Sequence, residues 1–316
     1  MTTPFETPGP PSERPVPGRP GRKLGPITGS VGSAHRAWLE PVRQSYLGSG
    51  LTLSELSIRI MFAKSKLSEL LRGIGLYPRW EAVHGLSREL DLPSWPLYRL
   101  WRQAAFEAHK SSAWVERCSE NSSLSTAPTA PPMEHLAYRE LVGGHYTGYA
   151  QVFLNDDLTE CAVSDTFDIL WLCWNDALAS PDLRRFAWEV LHATVLAKTP
   201  HFDGRPEFGA AAFDIEVLQS LPEADHMDQI AETMELFSAM SRLPGHQLDV
   251  MVLRRLCGHC EEQTSALLGV SRATVRSDER HAVRFLESIL CPPGTEEDGQ
   301  EGSPLCPPPQ TEGNTA

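Results

Sequence analysis

The chain has 316 residues, of which 41% are apolar and 22% charged, and its formal net charge is −13. At ~150 residues per domain this length predicts about two domains, with enough apolar residues to bury a core. No apolar run approaches the ~20 residues of a membrane-spanning helix, and the Pro-rich amino terminus lacks the apolar core of a signal peptide. The seven cysteines do not have the density of a secreted disulfide framework. We therefore expect a cytoplasmic protein that does not bind membranes.

The charge is unevenly distributed along the chain. Residues 34–110 contain 11 Arg or Lys and 7 Asp or Glu, whereas residues 134–240 contain 5 and 19. Residues 241–290 are close to balance, with 7 basic and 6 acidic residues. The net charge alone argues against nucleic-acid binding. An acidic centre between two neutral-to-basic blocks, however, suggests several partners.

Segments rich in Pro, Gly, Ser and Thr mark the boundaries between folded blocks, because such segments cannot bury enough apolar surface to fold alone. The folded blocks have apolar residues at helical spacing, so the predicted fold class is all-α. The predicted organisation is a disordered tail at 1–33, a helical domain at 34–112, a linker at 113–133, a helical domain at 134–200, a linker at 201–241, a helical domain at 242–290 and a disordered tail at 291–316.

In the first block the apolar spacing follows the helical period from Trp38 to Leu100, and Gly-rich and Pro-containing turns divide it into about five short helices. Pro41 is expected near the start of the first helix, because an interior Pro costs ~3 kcal/mol. Thr52 and Glu55 have the spacing of a capping box at the start of a later helix. That helix is predicted to end near Ile60.

A second helix is predicted from Lys64 to Leu71, stopping at Gly73. The pair, LTLSELSIRIMFAKSKLSELLRG at residues 51–73, resembles the Cro/Xre-type helix-turn-helix domain of phage repressors, whose second helix enters the DNA major groove. By position, the resemblance implies base contacts for Lys64, Ser65, Ser68 and Glu69, and phosphate contacts for Lys66 and Arg72. The alternative is a helical bundle used only for protein contact, but the small or basic side chains on the exposed face favour DNA.

Residues 243–290 contain a second helix-turn-helix pattern. Four apolar residues line one helix, residues 261–268 form the next, Gly269 makes the turn and Ser271 caps a helix that runs to about Ile289. The four apolar residues are Leu248, Met251, Val252 and Leu256.

The segments LPGHQLDVMVLR and LLGVSRATVRS in this block resemble region four of bacterial RNA polymerase sigma factors of the extracytoplasmic-function type. The resemblance implies that this module reads the upstream promoter element, with Arg284 reaching phosphate and the following residues on the DNA side: Arg272, Thr274, Arg276, Ser277 and Arg280. A response-regulator output domain, which shares the same turn, is the alternative.

Residues 138–198 follow the order of sigma region two, with a helix predicted at 159–175. In the family this helix docks on RNA polymerase through a face that includes acids, here Glu160, Asp165 and Asp168. The chain departs from the family at Cys161 and Ser164, where an acid and an amide are usual. It also has few Arg or Lys along the expected promoter-melting helix, which disfavours promoter melting by this segment.

No phosphate-binding loop, nucleophile elbow or paired-histidine motif occurs, so neither an enzyme nor a cofactor is expected. Cys257 and Cys260 have the spacing of half a zinc knuckle, but no second pair lies at zinc-finger distance, and no metal site is predicted. A role for these two thiols as apolar packing residues is the simpler interpretation.

Two functional hypotheses follow. The first is a sigma-like initiation factor that recruits core RNA polymerase to double-stranded promoter DNA, with the amino-terminal domain adding a second DNA contact. The second is a non-initiating regulator or adaptor that binds DNA through its helix-turn-helix units. Its degenerate region two would then bind a protein partner, such as polymerase or an anti-sigma-like regulator. The completeness of both regions favours the first, and the acidic region two favours the second.

Overall fold

The computed structural model describes residues 24–120, 130–212 and 226–290. The fold is all-α, as predicted. The tail predicted at 291–316, most of the tail predicted at 1–33, and parts of both predicted linkers lie outside the described residues. The chain divides into two compact units between Thr199 and Pro200, apart from Leu267–Gly269, which group with the first unit, and each unit is described by itself.

The first unit begins with an extended segment, residues 24–32, and continues through ten helices of the described residues. In chain order they are α1 (Ser33–Gly48), α2 (Leu53–Arg59), α3 (Lys64–Leu70), α4 (Trp80–Glu89), α5 (Ser94–Glu107), α6 (Ser112–Ser119), α7 (Met133–Gln151), α8 (Asp156–Leu172), α9 (Trp174–Ala179) and α10 (Leu183–Lys198). Helix α6 occupies the first part of the linker predicted at 113–133.

Two predictions from the sequence concern where a helix of this unit begins: the capping box at Thr52 and the position of Pro41. The capping box at Thr52 is confirmed: the Glu55 amide donates to Thr52 Oγ1 at 3.2 Å, and the Thr52 amide donates to Glu55 Oε2 at 2.7 Å. The position predicted for Pro41 is wrong, because α1 begins eight residues earlier, at Ser33, and Pro41 lies buried in its interior. Its side chain belongs to the packed face of α1, where burial offsets the lost backbone hydrogen bond.

One apolar core joins the two helical blocks that the sequence predicted as separate domains. Trp38, Trp80 and Trp101 are fully buried at its centre. Leu172 of α8 is buried in the same cluster, and Ile169 packs against it. Residues 34–112 therefore share a core with α8, so the first unit extends through both blocks.

The second unit contains a short antiparallel hairpin followed by helices. The strands are β1 (His201–Phe202) and β2 (Arg205–Pro206), with His201 opposite Pro206. The helices that follow are α11 (His226–Met240), α12 (Gly245–Met251) with a π-helical turn at Val252–Leu256, α13 (Glu261–Leu268) and α14 (Arg272–Leu290). Helix α11 lies inside the linker predicted at 201–241, whereas the four apolar residues predicted to line α12 and its π turn are all buried.

Candidate nucleic-acid interfaces

Helices α2 and α3 form a helix-turn-helix in the first unit. Met61 lies in the turn between them with a φ of 50°. This is a left-handed backbone conformation that residues other than Gly rarely adopt. Gly73 follows α3 with φ of 67°, and a Cβ at this position would lie 2.3 Å from Val31 Cγ2. This crowding explains why only glycine fits where the chain leaves α3.

The residues at the start of α3 are the most accessible of those predicted to contact DNA. Lys64, Ser65 and Lys66 are exposed, whereas Ser68 and Glu69 are half-buried. Lys66 Nζ lies 2.8 Å from Glu69 Oε2, so these two charges neutralise each other. Lys64 and Ser65 therefore present the polar surface that a DNA groove would meet first.

Arg72, predicted to contact phosphate, lies just beyond α3 and is half-buried. Its Nε donates to the Ser68 carbonyl oxygen at 3.1 Å, which folds the side chain back along the helix. Its own carbonyl oxygen accepts hydrogen bonds from the Thr28 amide at 3.0 Å and from Thr28 Oγ1 at 3.2 Å. The Arg72 backbone is thus fixed by the segment that precedes α1.

Helices α13 and α14 form the helix-turn-helix of the second unit. Gly269 has φ of 63° in the turn, and Ser271 Oγ accepts from the Thr274 amide at 3.1 Å, which confirms the predicted cap. Val275, Ala282 and Leu286 form the buried stripe of α14. Away from that stripe α14 carries exposed side chains, among them Arg276 and Arg280.

Arginines form a ridge along α14. Arg272, Arg276, Arg280 and Arg284 recur at every fourth position, and all four are exposed. Side chains spaced by four residues form one inclined row on a helix surface. A groove runs beside this row, and Arg255 lines it together with Glu279 and Glu287. All four arginines predicted to contact DNA from α14 therefore share one surface. Of the other two residues predicted there, Thr274 is exposed and Ser277 is half-buried.

Acidic residues of the same unit neutralise part of this ridge. Arg276 Nε lies 3.3 Å from Glu261 Oε1, and Arg272 pairs with Glu262. Arg280 and Arg284 make no ion pair within the described part of the chain. The sequence reasoning did not find these acidic partners, because contacts between α13 and α14 depend on the crossing of the two helices.

Arg255 is a further basic residue that the sequence reasoning did not assign to this surface. Its Nη2 lies 3.0 Å from Glu279 Oε1, and the neighbouring Arg254 Nε lies 3.3 Å from Glu279 Oε2. Glu279 thus pairs with both arginines, of which Arg255 lines the groove. The adjacent basic residues Arg254 and Arg255 were the only feature of the sequence that could have indicated this contribution to the surface.

The three acids predicted to dock on RNA polymerase differ in exposure. Glu160 is exposed on α8, but Asp165 and Asp168 are each only 6% exposed. Asp165 Oδ2 lies 2.9 Å from Lys198 Nζ of α10, and Asp168 Oδ2 lies 3.1 Å from Arg99 Nη1 of α5. Two of the three predicted docking residues are therefore engaged inside the first unit.

The environment of Asp168 disfavours its charge. Burial raises the pKa of this carboxyl to about 7, against the opposing effect of the Arg99 guanidinium. Asp168 Oδ2 is buried, and its contact with Arg99 lacks hydrogen-bond geometry. The ion pair thus compensates only part of the cost of removing this carboxylate from water.

Helix α5 contacts the two positions where the chain departs from the sigma family. Arg99 Nη2 donates to Ser164 Oγ at 2.6 Å, and Gln103 Nε2 donates to Cys161 Sγ at 3.0 Å. The face of α8 that carries these residues is thus covered by a helix of the amino-terminal block. The small side chains of Ser164 and Cys161 leave room for this contact.

The Cys257 and Cys260 thiols lie in different environments, one half-buried and one exposed. Burial raises the pKa of the Cys257 thiol to about 12, which disfavours a reactive thiolate. Cys260 is exposed, and its sulfur accepts a hydrogen bond from the Gln263 amide at 3.5 Å. Across residues 24–120, 130–212 and 226–290, no three His, Cys, Asp or Glu side chains converge as metal ligands would.

Among the described helices, none combines the length and apolar character needed to cross a membrane. Comparison with protein-family models, curated proteins and solved structures finds no match to this chain.

Proposed function

We propose that this chain is a DNA-binding transcription regulator that contacts DNA through two helix-turn-helix units, α2–α3 and α13–α14. The observation that carries the proposal is the arginine ridge of α14. An exposed row of arginines on the second helix of a helix-turn-helix matches the positive surface that phosphate recognition requires. The exposed Lys64 and Ser65 at the start of α3 support the second contact.

The dimensions of α14 suit a helix that begins in the major groove and extends past it. Its 19 residues span about 28 Å at 1.5 Å per residue, whereas the major groove is about 12 Å wide. With Arg272 and Arg276 at the base edges, Arg284 would lie about 18 Å further along the axis than Arg272. Arg280 and Arg284 would then meet the phosphate backbone.

The environment of α8 favours a regulator that does not itself initiate transcription. Asp165 and Asp168 are buried in ion pairs, and α5 covers the neighbouring Ser164 and Cys161. A polymerase subunit could not use this face without separating α5 from α8, which share buried apolar residues. A protein partner, whether polymerase or an anti-sigma-like regulator, would instead meet exposed residues such as Glu160.

Promoter initiation is the second candidate. It is supported by the order of the helices, with α7 to α10 followed by a carboxy-terminal helix-turn-helix, as in the sigma family. Under this candidate, the first unit would have to open before α8 could dock on core polymerase.

Equilibrium binding to duplexes enriched from a random library tests the DNA-binding proposal. Arg276→Ala combined with Arg280→Ala should weaken binding and reduce the slope of log K against log salt by about 1, because Arg280 is the one of the two that would contact phosphate, while loss of Arg276 should relax the sequence preference. Arg242→Ala, an exposed arginine at the end of α11, is the matched control and should leave the slope unchanged. Equal affinity and slope for all three proteins would remove α14 from the DNA.

A further inference from the structure

A groove lies between helices α1 and α10 of the first unit, with helix α8 along its length, and has a volume of about 1010 Å³. Small side chains line it from both walls: Ala34 and Ala37 from α1, and Ala193 and Ala197 from α10. Their size leaves space between the two helices. Small-molecule sites in proteins enclose about 300–1,000 Å³, so the groove has the volume of a binding site for a small molecule.

The groove is longer than it is wide. Phe186, near the start of α10, and Lys198, at its end, both line the groove, and the stretch between them spans about 18 Å at 1.5 Å per residue. Cα atoms of α1 and α10 approach to within 8 Å of one another. A partner helix, with its diameter of about 10–12 Å, would not fit between them. The shape therefore favours an extended small molecule over a helical peptide.

The basic residues that line the groove are already neutralised. Arg36 Nη1 lies 3.0 Å from Glu40 Oε1, and Lys198 Nζ lies 2.9 Å from Asp165 Oδ2. Both carboxylates also line the groove. The Lys198 pair is mostly buried, so an anionic ligand that displaced Asp165 would leave that carboxylate without its partner, at a high energetic cost. The groove thus disfavours a ligand with a carboxylate or phosphate group.

The end of the groove away from Lys198 suits a cation. Asp176 of α9 lines this end and makes no ion pair with the residues that the structure describes. Glu189 pairs with Arg185 at 3.2 Å, but both side chains are 66% exposed, so this pair is weak. Phe186 precedes Glu189 by one turn of α10, and α9 contacts α10. An aromatic ring near two carboxylates attracts a positively charged group.

We propose that this groove binds an extended apolar molecule with a cationic group at one end, of the chemical class of the long-chain alkylammonium ions. The apolar chain lies between α1 and α10 against Ala37 and Ala193. The cation lies near Asp176, Glu189 and the ring of Phe186. Binding at this site does not depend on the proposed DNA contacts, so its test stands apart from theirs.

Calorimetric titration of the full chain with three probes tests the chemistry of the ligand. Decylammonium, decanol and decanoate share one alkyl chain and differ in the charge of the head group at pH 7. Each is used below the concentration at which it forms micelles. Decylammonium should bind at least about tenfold more tightly than decanoate, with decanol between them. Equal affinities for the three probes, or tighter binding of decanoate, would overturn the proposal.

A variant that fills the groove tests its position. Ala193→Trp places a large ring between the walls and should abolish decylammonium binding. Ala193 is exposed, so the fold does not depend on its small size. Ala137→Trp, at an exposed position of α7 outside the groove, is the control and should bind decylammonium as the wild type does. Unchanged binding by Ala193→Trp would place the ligand elsewhere and overturn the proposal.

A second pair of variants tests the acidic end. Asp176→Asn with Glu189→Gln should weaken decylammonium binding at least about fivefold and leave decanol binding unchanged. Asp157→Asn with Glu160→Gln makes the same change of charge at exposed positions of α8, and it should leave both affinities unchanged. If both double variants weakened decylammonium binding equally, the effect would come from net charge alone, and the assignment of the cation to this end would be wrong.

Discussion

The buried carboxyl of Asp168 should make the stability of the first unit depend on pH. Its pKa of about 7 in the folded chain lies above the ~3.9 expected when the chain is unfolded. A raised carboxyl pKa contributes stability that is complete below the unfolded value and is lost as pH rises through the folded value. The folded chain therefore holds about one more proton at Asp168 than the unfolded chain between pH 5 and 6, and about half a proton more at pH 7.

The size of the expected change in the free energy of unfolding follows from this difference in bound protons. At 1.36 kcal/mol per pH unit, the free energy of unfolding should fall by about 2.5 kcal/mol between pH 5 and 8 because of Asp168 alone. Asp168→Asn keeps the neutral form at every pH, so the variant should lack this decrease. The variant should accordingly become more stable relative to the wild type as pH rises.

Denaturant unfolding followed by tryptophan fluorescence measures this effect. All eight tryptophans lie at or before Trp188, so the signal reports on the first unit of the intact chain. Asp176→Asn, which replaces an exposed acid in the same unit, is the control and should keep the wild-type pH dependence. If Asp168→Asn had the same pH dependence as the wild type, burial at the α5–α8 contact would not raise the pKa of Asp168 as described.

Two further changes test the interfaces and the turn after α3. Glu261→Gln with Glu262→Gln removes the internal partners of the α14 arginines, so DNA affinity should rise about fivefold at ~0.5 kcal/mol per surface pair; unchanged or weaker binding in a titration would contradict the assignment. Gly73→Ala should destabilise the first unit by about 2 kcal/mol or more, through its positive φ and the clash with Val31. Gly144→Ala, in an open position of α7, should instead stabilise it by up to ~1 kcal/mol, and fluorescence-detected unfolding of both variants measures the contrast.

The sequence predicted the local features of both helix-turn-helix units well. The capping box at Thr52, the cap at Ser271 and the bounds of α13 depend on residues within a few positions of one another. The fold class follows from the helical period of apolar residues, which extends through both units. The exposed position of the α14 arginines also follows, because the stripe of Val275, Ala282 and Leu286 identifies the opposite face.

Contacts between distant segments could not be predicted in the same way. The ion pair of Arg99 with Asp168 joins residues 69 positions apart, and no local pattern distinguishes such an aspartate from a solvent-exposed one. The interior position of Pro41 depends on burial against other helices, which outweighs the backbone preference of proline. Helix α11 lies within the segment at 201–241 that was predicted as a linker, and no residue pattern was used there to predict a helix.

Transcription by purified core RNA polymerase distinguishes a non-initiating regulator from an initiation factor. The template would be a DNA fragment that this chain binds, and a bacterial sigma factor on its own promoter would show that the polymerase is competent. Because Asp165 and Asp168 are engaged within the first unit, we expect the chain to bind the fragment but to yield no specific transcript as the sole added factor. A specific transcript that depends on this chain, without any other sigma factor, would instead establish an initiation factor.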